Sequence, residues 1–262
     1  MAVAAIPFGL AIGVAIGTLG GGGSILAVPV LVYVLGEDVH AATTVSLVVV
    51  AAAALAGGLG HAREGHVCWR HAAAFTAAAL PGVIAGTVAG EALSGDALIV
   101  AFAVIMLAGA GATWRRAATA GGDRTMTSTP LCPPLRLTRD VSAGVMIGFL
   151  TGLLGVGGGF LIVPTLAIAL ALSMRLAVGT SLVIIAGTSA MGLAAHLLAG
   201  RVLDVDVTAT MTVACVAGAL AGAAIAARLS QRRLSQGFAA LLTTVAAYLV
   251  LSTAFWGGPP SS

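Results

Sequence analysis

The sequence predicts an all-α polytopic membrane protein made of two inverted structural repeats, each with short broken or re-entrant Gly-rich helices followed by three full transmembrane helices. Three observations predict it. The composition is apolar throughout, the two halves match residue by residue, and the arginines fit only an odd number of crossings per repeat.

Of 262 residues, 59% are hydrophobic and 8% charged, with a mean hydropathy of +1.09, against about 25% charged residues in a soluble domain. No sizeable soluble domain can be carved from such a chain, so its solvent is lipid. The chain has no lysine, and most of its arginines lie in short loops or in the polar stretch 114–138. That is charge that orients a membrane protein. No basic face with interleaved aromatics is present to bind nucleic acid. Cys68, Cys132 and Cys215 form no C-x-x-C and have no His-rich neighbour, so neither a disulfide framework nor a zinc site is indicated, and no metal or cofactor is expected. The apolar N-terminus resembles a signal-peptide core, but it lacks a basic leading region and has a counterpart inside the chain. It is therefore read as part of the mature protein.

Apolar runs bounded by polar or Gly-rich breaks give five segments per half: 4–19, 24–35, 40–60, 71–91 and 96–113, then 141–154, 159–172, 175–198, 206–228 and 234–255. GTLGGGGSILAVPVL, from Gly17 to Leu31, lies over GLLGVGGGFLIVPTL, from Gly152 to Leu166. The same offset aligns Ser46-Leu47 with Ser181-Leu182 and His61 with His196; after a one-residue slip, Gly82 and Gly86 align with Gly218 and Gly222. Those last four glycines read as close helix packing. The first repeat is 1–113, a linker 114–138, and the second repeat 139–262. The linker, with Pro130, Pro133 and Pro134 and no apolar period, should be mobile and cytoplasmic.

Placing Arg115, Arg116, Arg124, Arg136 and Arg139 in the cytoplasm and counting outward decides the parity. An odd number of crossings per repeat puts Arg63, Arg70, Arg175, Arg228, Arg232 and Arg233 inside, leaving only Arg201 on the wrong side. Both termini are then extracytoplasmic.

The first two segments of each half are short and meet at Gly20, Gly21, Gly22 and Gly23, or at Gly155, Gly157, Gly158 and Gly159. Irregular backbone at membrane depth is tolerated where it lines a cavity. Helices starting at Ser24 and near Gly159 would aim free N–H groups and about half a positive charge into it, which suits a small anion. The competing reading is that the glycines allow tight crossing. Pro29 and Pro164 lie about a turn and a half into these helices, where a kink would release a carbonyl. Thr43, Thr44 and Ser46, with Thr180 and Ser181 opposite, would donate hydroxyls to an anion or bond back to their own turn. His61 and His196 share a repeat position where a titrating group could couple transport to protons, or serve only at the interface.

The paired G-x-x-G-x-G-G-G-x-x-x-V-P-x-L pattern resembles the sulfite exporter TauE/SafE family of bacterial inner-membrane proteins, over nearly the whole chain. The two copies differ at Gly21 against Val156 and at Ser24 against Gly159. The resemblance implies a secondary transporter exporting sulfite, sulfoacetate or a related anion, with both glycine motifs as its site. The expected partners are that anion and the bilayer, with a homodimer admitted and no nucleic acid. The alternatives are an anion-conducting channel and a non-transporting accessory subunit. An enzyme is not expected, because no Ser/His/Asp or paired-carboxylate constellation is present.

Overall fold

The computed structural model describes residues 2–27, 30–31, 39–90, 104, 107–111, 113–115, 132–134, 136–154, 159–168, 170, 172–198 and 205–256. Every regular element among them is helical, as the bilayer demands of backbone that must satisfy its own hydrogen bonds. In chain order these are α1 (Ala2–Leu19), a 3-10 turn (Gly20–Leu26), α2 (Val39–Arg63), α3 (Trp69–Gly90), α4 (Leu137–Leu154), α5 (Gly159–Ile168), α6 (Met174–Leu198), α7 (Val205–Arg228) and α8 (Gln231–Trp256). Four stretches are long and apolar enough to cross a membrane: Ala5–Leu26, Thr44–Arg63, Met174–Ala194 and Val205–Arg228. Leu55, Leu59, Ile84, Val88 and Val213 lie exposed on the outside of the bundle, where lipid would cover them, while Phe75, Ile12, Ile16, Leu182 and Phe238 fill its centre.

The short segments differ between the halves. With ten residues, α5 is about 15 Å long at 1.5 Å per residue, half of a hydrocarbon core of about 30 Å. In the first half no new α-helix begins at Ser24. The chain runs from α1 straight into the 3-10 turn, and Ser24 sits inside that turn, so Ala5–Leu26 forms one apolar stretch of 22 residues. The physical reason is local: Gly20 takes φ +72°, a conformation open to glycine without steric penalty, and redirects the chain without ending its helical winding.

Helix packing is reciprocal between the halves. α1 lies along α7 with backbones so close that a Cβ on Gly13 would stand 2.1 Å from the Cys215 carbonyl oxygen, and one on Gly218 2.4 Å from that of Leu10. α4 lies along α3 in the same way: a Cβ on Gly148 would meet the Ala79 oxygen at 2.2 Å, and one on Gly82 the Val145 oxygen at 2.2 Å. These are matching repeat positions, with Gly13 answering to Gly148, Cys215 to Ala79, Gly218 to Gly82 and Leu10 to Val145. Across the middle, α2 meets α6 through Gly57 against Leu182, at 3.4 Å, and Gly192 against Leu47, at 3.3 Å. These are again matching pairs. Since 57 faces 182 while 47 faces 192, α2 and α6 run antiparallel. Of the glycines read from the sequence as packing residues, Gly82, Gly218 and Gly222 serve that purpose.

One expectation from the cysteines is overturned. Cys68 and Cys132 form a disulfide, with Cα atoms 5.8 Å apart, which ties the end of the linker to the loop before α3. Spacing could not reveal the pair, because the close parallel packing of α3 and α4 brings together cysteines separated by 64 residues. The same corner holds His71, whose Nδ1 faces Asp140 and whose Nε2 lies 3.1 Å from the Pro133 carbonyl oxygen. Asp140 also accepts the Arg136 N–H at 3.0 Å and is fully buried. Linker residues 116–131 lie outside the described residues. On α6, Arg175 donates to the Leu229 carbonyl at 2.9 Å, covering one of the carbonyls left open where α7 ends.

Candidate functional site

The glycine turn is buried at Gly20, Gly21, Gly22, Gly23 and Ile25, and α5 and α6 converge on it. From α6, Ser181 lies over Gly20, so that a Cβ there would be 2.6 Å from the Ser181 Oγ and 3.1 Å from Val163. From α5, Gly159 crosses Gly21 so closely that a Cβ on Gly21 would stand 1.7 Å from the Gly159 oxygen. Reciprocally, a Cβ on Gly159 would meet the Ser24 Oγ at 2.7 Å and the Gly21 oxygen at 3.2 Å. Ser24 and Gly159 occupy the same position of the two copies, so the copies meet at equivalent points.

The electrostatics of this crossing come from backbone. Gly159 opens α5, and the first four N–H groups of a helix have no intrahelical acceptor. Among the described residues, the Gly159 group that lies against Gly21 is its carbonyl oxygen. The hydroxyls are directed elsewhere: Ser24 Oγ donates to the Gly21 oxygen at 2.7 Å, and Ser181 Oγ to the Val178 oxygen at 2.8 Å. This is the back-bonding that competes with ligand contact, and donation to an anion requires rotation about χ1.

The flanking residues hold the crossing in place. Thr180 Oγ1 accepts the Cys68 N–H at 3.0 Å, docking the 64–68 loop onto the start of α6. A Cβ on Gly179 would lie 2.2 Å from the His66 oxygen. His61 is buried, with Nε2 3.1 Å from the Gly17 carbonyl oxygen near the end of α1. Pro164 is buried within α5, and Thr44 and Ser46 are buried near the start of α2. Gly22 points away from α5, toward Phe238 and Leu241 of α8, each 3.1 Å from a Cβ placed there, and Gly23 backs onto α1 at the Ile16 nitrogen, 2.5 Å away. Pro29, Gly155, Gly157 and Gly158 lie outside the described residues, as do the side chains of Thr43 and His196.

The description "Sulfite exporter TauE/SafE" matches residues 5–249. The chain belongs to the TauE/SafE family. A "Probable membrane transporter protein" of Xylella fastidiosa (strain 9a5c) is 32% identical over 243 residues, covering 91% of each chain. A protein with the same description from strain Temecula1 is 34% identical over 245 residues, with the same coverage. The "Probable membrane transporter protein YunE" of Bacillus subtilis is 26% identical over 214 residues, 75% of this chain and 78% of that one. No solved structure matches the chain. The family and these relatives make it a membrane transporter of the TauE/SafE type.

In this TauE/SafE protein, several residues around the site escape a reading of the sequence. Phe238, fully buried on α8, closes the far side of Gly22 and is one apolar residue among many in its segment. Ile185 and Val163 complete the wall against Gly159 and Gly20. The buried His71 and Asp140 pair joins α3 to α4 across 69 residues; Asp140 stands at the start of its helix, where a carboxylate ordinarily reads as a solvated cap.

Proposed function

We propose that the protein exports a small oxyanion such as sulfite or sulfoacetate by alternating access, the anion being held where the turn Gly20–Leu26 meets the start of α5. The observation that carries this reading is the meeting of Ser24 with Gly159. Equivalent positions of two repeats face each other at a buried point, beside Gly159, the first described residue of α5. Transporters built on inverted repeats hold substrate at such a midplane junction of broken helices, and backbone amides supply the charge complement for an anion.

The inverted relation is supported by helix directions. α2 and α6 are equivalent elements that run oppositely, and α1 and α4 exchange places against α7 and α3 through matching glycines. With the arginine distribution, this favours a pseudo-twofold in the membrane plane, a cytoplasmic linker and both termini outside. The Cys68–Cys132 bridge supports the linker and the 64–68 loop sharing one face.

The test is purified protein in liposomes, offered sulfite, sulfate, thiosulfate, sulfoacetate and short carboxylates. Saturable uptake of one anion that is accelerated by the same anion inside the vesicles is the expected result. Flux without saturation or counter-flow would make it a channel, and no flux of any of these anions would overturn the proposal.

A further inference from the structure

We infer that His61, Glu64 and His66 form a binding site for a divalent transition-metal cation of the zinc class at the α2–α3 corner. One donor atom from each of the three residues lies within 4.8 Å of the others. The arrangement arises from how α2 ends. Five residues apart on a continuous helix, His61 and His66 would point about 140° away from each other, at 3.6 residues per turn. Here the helix stops. Gly65 takes φ +73°, its N–H bonds to the Ala62 oxygen at 3.0 Å, and the His66 N–H bonds to the His61 oxygen at 2.9 Å. Those two bonds define a Schellman cap, in which the residue after the left-handed glycine folds back over the helix's last turn, usually making an apolar contact. In this protein the two residues brought together are imidazoles, with ring centres 6.2 Å apart, and Glu64 stands between them in sequence.

The ring nitrogens are already sorted. Gly17's carbonyl can only accept, so His61 Nε2, 3.1 Å away, carries the proton, and Nδ1 of the neutral ring holds a lone pair. That Nδ1 is buried without a hydrogen-bond partner among the described residues, in a side chain only 1% exposed. A metal-binding histidine typically gives its other N–H to a backbone carbonyl or carboxylate, which fixes its tautomer and orientation, and the Gly17 bond does this for His61. His66 Nδ1 and Glu64 Oε2 are 3.2 Å apart, close to the roughly 3.3 Å edge of a tetrahedron with ligands about 2.0 Å from zinc. Glu64 is 40% exposed, free to close the remaining distance and open to ions from solvent. Two imidazoles and one carboxylate favour zinc-like ions over magnesium or calcium, which prefer all-oxygen shells.

The experiment is calorimetric titration of Zn2+, and separately Mg2+, into tag-free full-length protein in detergent. Reductant is omitted so that the Cys68–Cys132 bridge stays closed and offers no thiolate. Wild type should take up one zinc saturably and no magnesium. Losing a group that merely orients a ligand weakens binding about 10- to 100-fold, so Glu64→Gln and His66→Ala, which remove ligands, should each weaken it by more than about 100-fold. Unchanged zinc affinity in both variants, or no saturable zinc binding by wild type, would overturn the site. Should His66→Ala fail to purify as a monodisperse species, Glu64→Gln alone decides. With chloride salts and none of the candidate substrate anions in this titration, its failure leaves the transport proposal standing.

Discussion

Replacing Gly20 by alanine tests the geometry of the crossing at its tightest conformational constraint. The penalty has two separable parts. Gly20 has φ +72°, where an L-residue is disfavoured by roughly 1–2 kcal/mol. The new methyl would also sit 2.6 Å from Ser181 Oγ, and overpacking of this kind adds about 1–3 kcal/mol. Together the substitution should cost about 2–5 kcal/mol. At about 2–4 °C per kcal/mol for a chain of this size, that lowers the melting temperature by roughly 4–20 °C.

The two parts are separated by repeating the substitution in a Ser181→Ala background, where the close oxygen is gone. There Gly20→Ala should cost less, the backbone part of about 1–2 kcal/mol with only the Val163 methyl at 3.1 Å still to give way, so the pair is coupled by the difference. The assay is thermal unfolding in detergent of the four proteins of this cycle, with anion flux measured on each in liposomes. A Gly20→Ala protein that melts with wild type would refute the left-handed turn. The same penalty in both backgrounds would refute the placement of Ser181 over Gly20.

Gly22→Leu should collide with Phe238 and Leu241 and abolish transport, and Phe238→Ala in the same protein should recover yield; normal transport kinetics in Gly22→Leu would remove the turn from the pathway. Gly13→Leu and Gly148→Leu should each prevent α1–α7 or α4–α3 packing and sharply lower monodisperse yield, whereas Gly111→Leu, with no atom of the described residues within 4 Å of its Cβ position, should express as wild type. With the Cys68–Cys132 bridge closed, neither cysteine should react with a thiol reagent in membranes isolated under conditions that block exchange, and both should react after a reductant. Labelling of both before reduction would refute the bridge, and a C-terminal reporter found in the cytoplasm would reverse the orientation proposed from the arginines.

How much of this was legible beforehand follows from what each signal depends on. Apolar composition and the repeat are properties of the chain itself, so the membrane class, the family and the pairing of glycine motifs could be read directly. α5 is described from Gly159, while the glycines expected to break the helix before it lie outside the described residues. The first-half counterpart was read as another fresh start at Ser24. It is instead a 3-10 turn, because one left-handed glycine redirects the chain where four in a row suggested unwinding. Cys68 with Cys132, and His71 with Asp140, were illegible for a different reason: each pair is made by α3 and α4 lying side by side, which no spacing encodes. His61 and His66 fall between these cases. Their separation forbids a common helix face, and only the cap at Gly65 folds one onto the other.

The reciprocal packing explains why glycines of two kinds sit a few residues apart in the same motif. α1 is held by α7 of the other copy, through Gly13 and Gly218, and α4 by α3 through Gly148 and Gly82. α1 is therefore anchored to α7 just before the buried glycines of the turn that follows it. Small residues on both faces let these backbones touch, which is how helices associate tightly in lipid, where burial of apolar surface supplies no drive. Past the anchor the requirement changes, since at Gly20, Gly21 and Gly159 the backbones cross end-on against Ser181 and Ser24. A side chain at the anchor would push two helices apart, whereas a side chain at the crossing would fill the point where the two copies meet. If the anion is held at the crossing as proposed, substitutions in the two sets should separate as losses of yield and losses of transport.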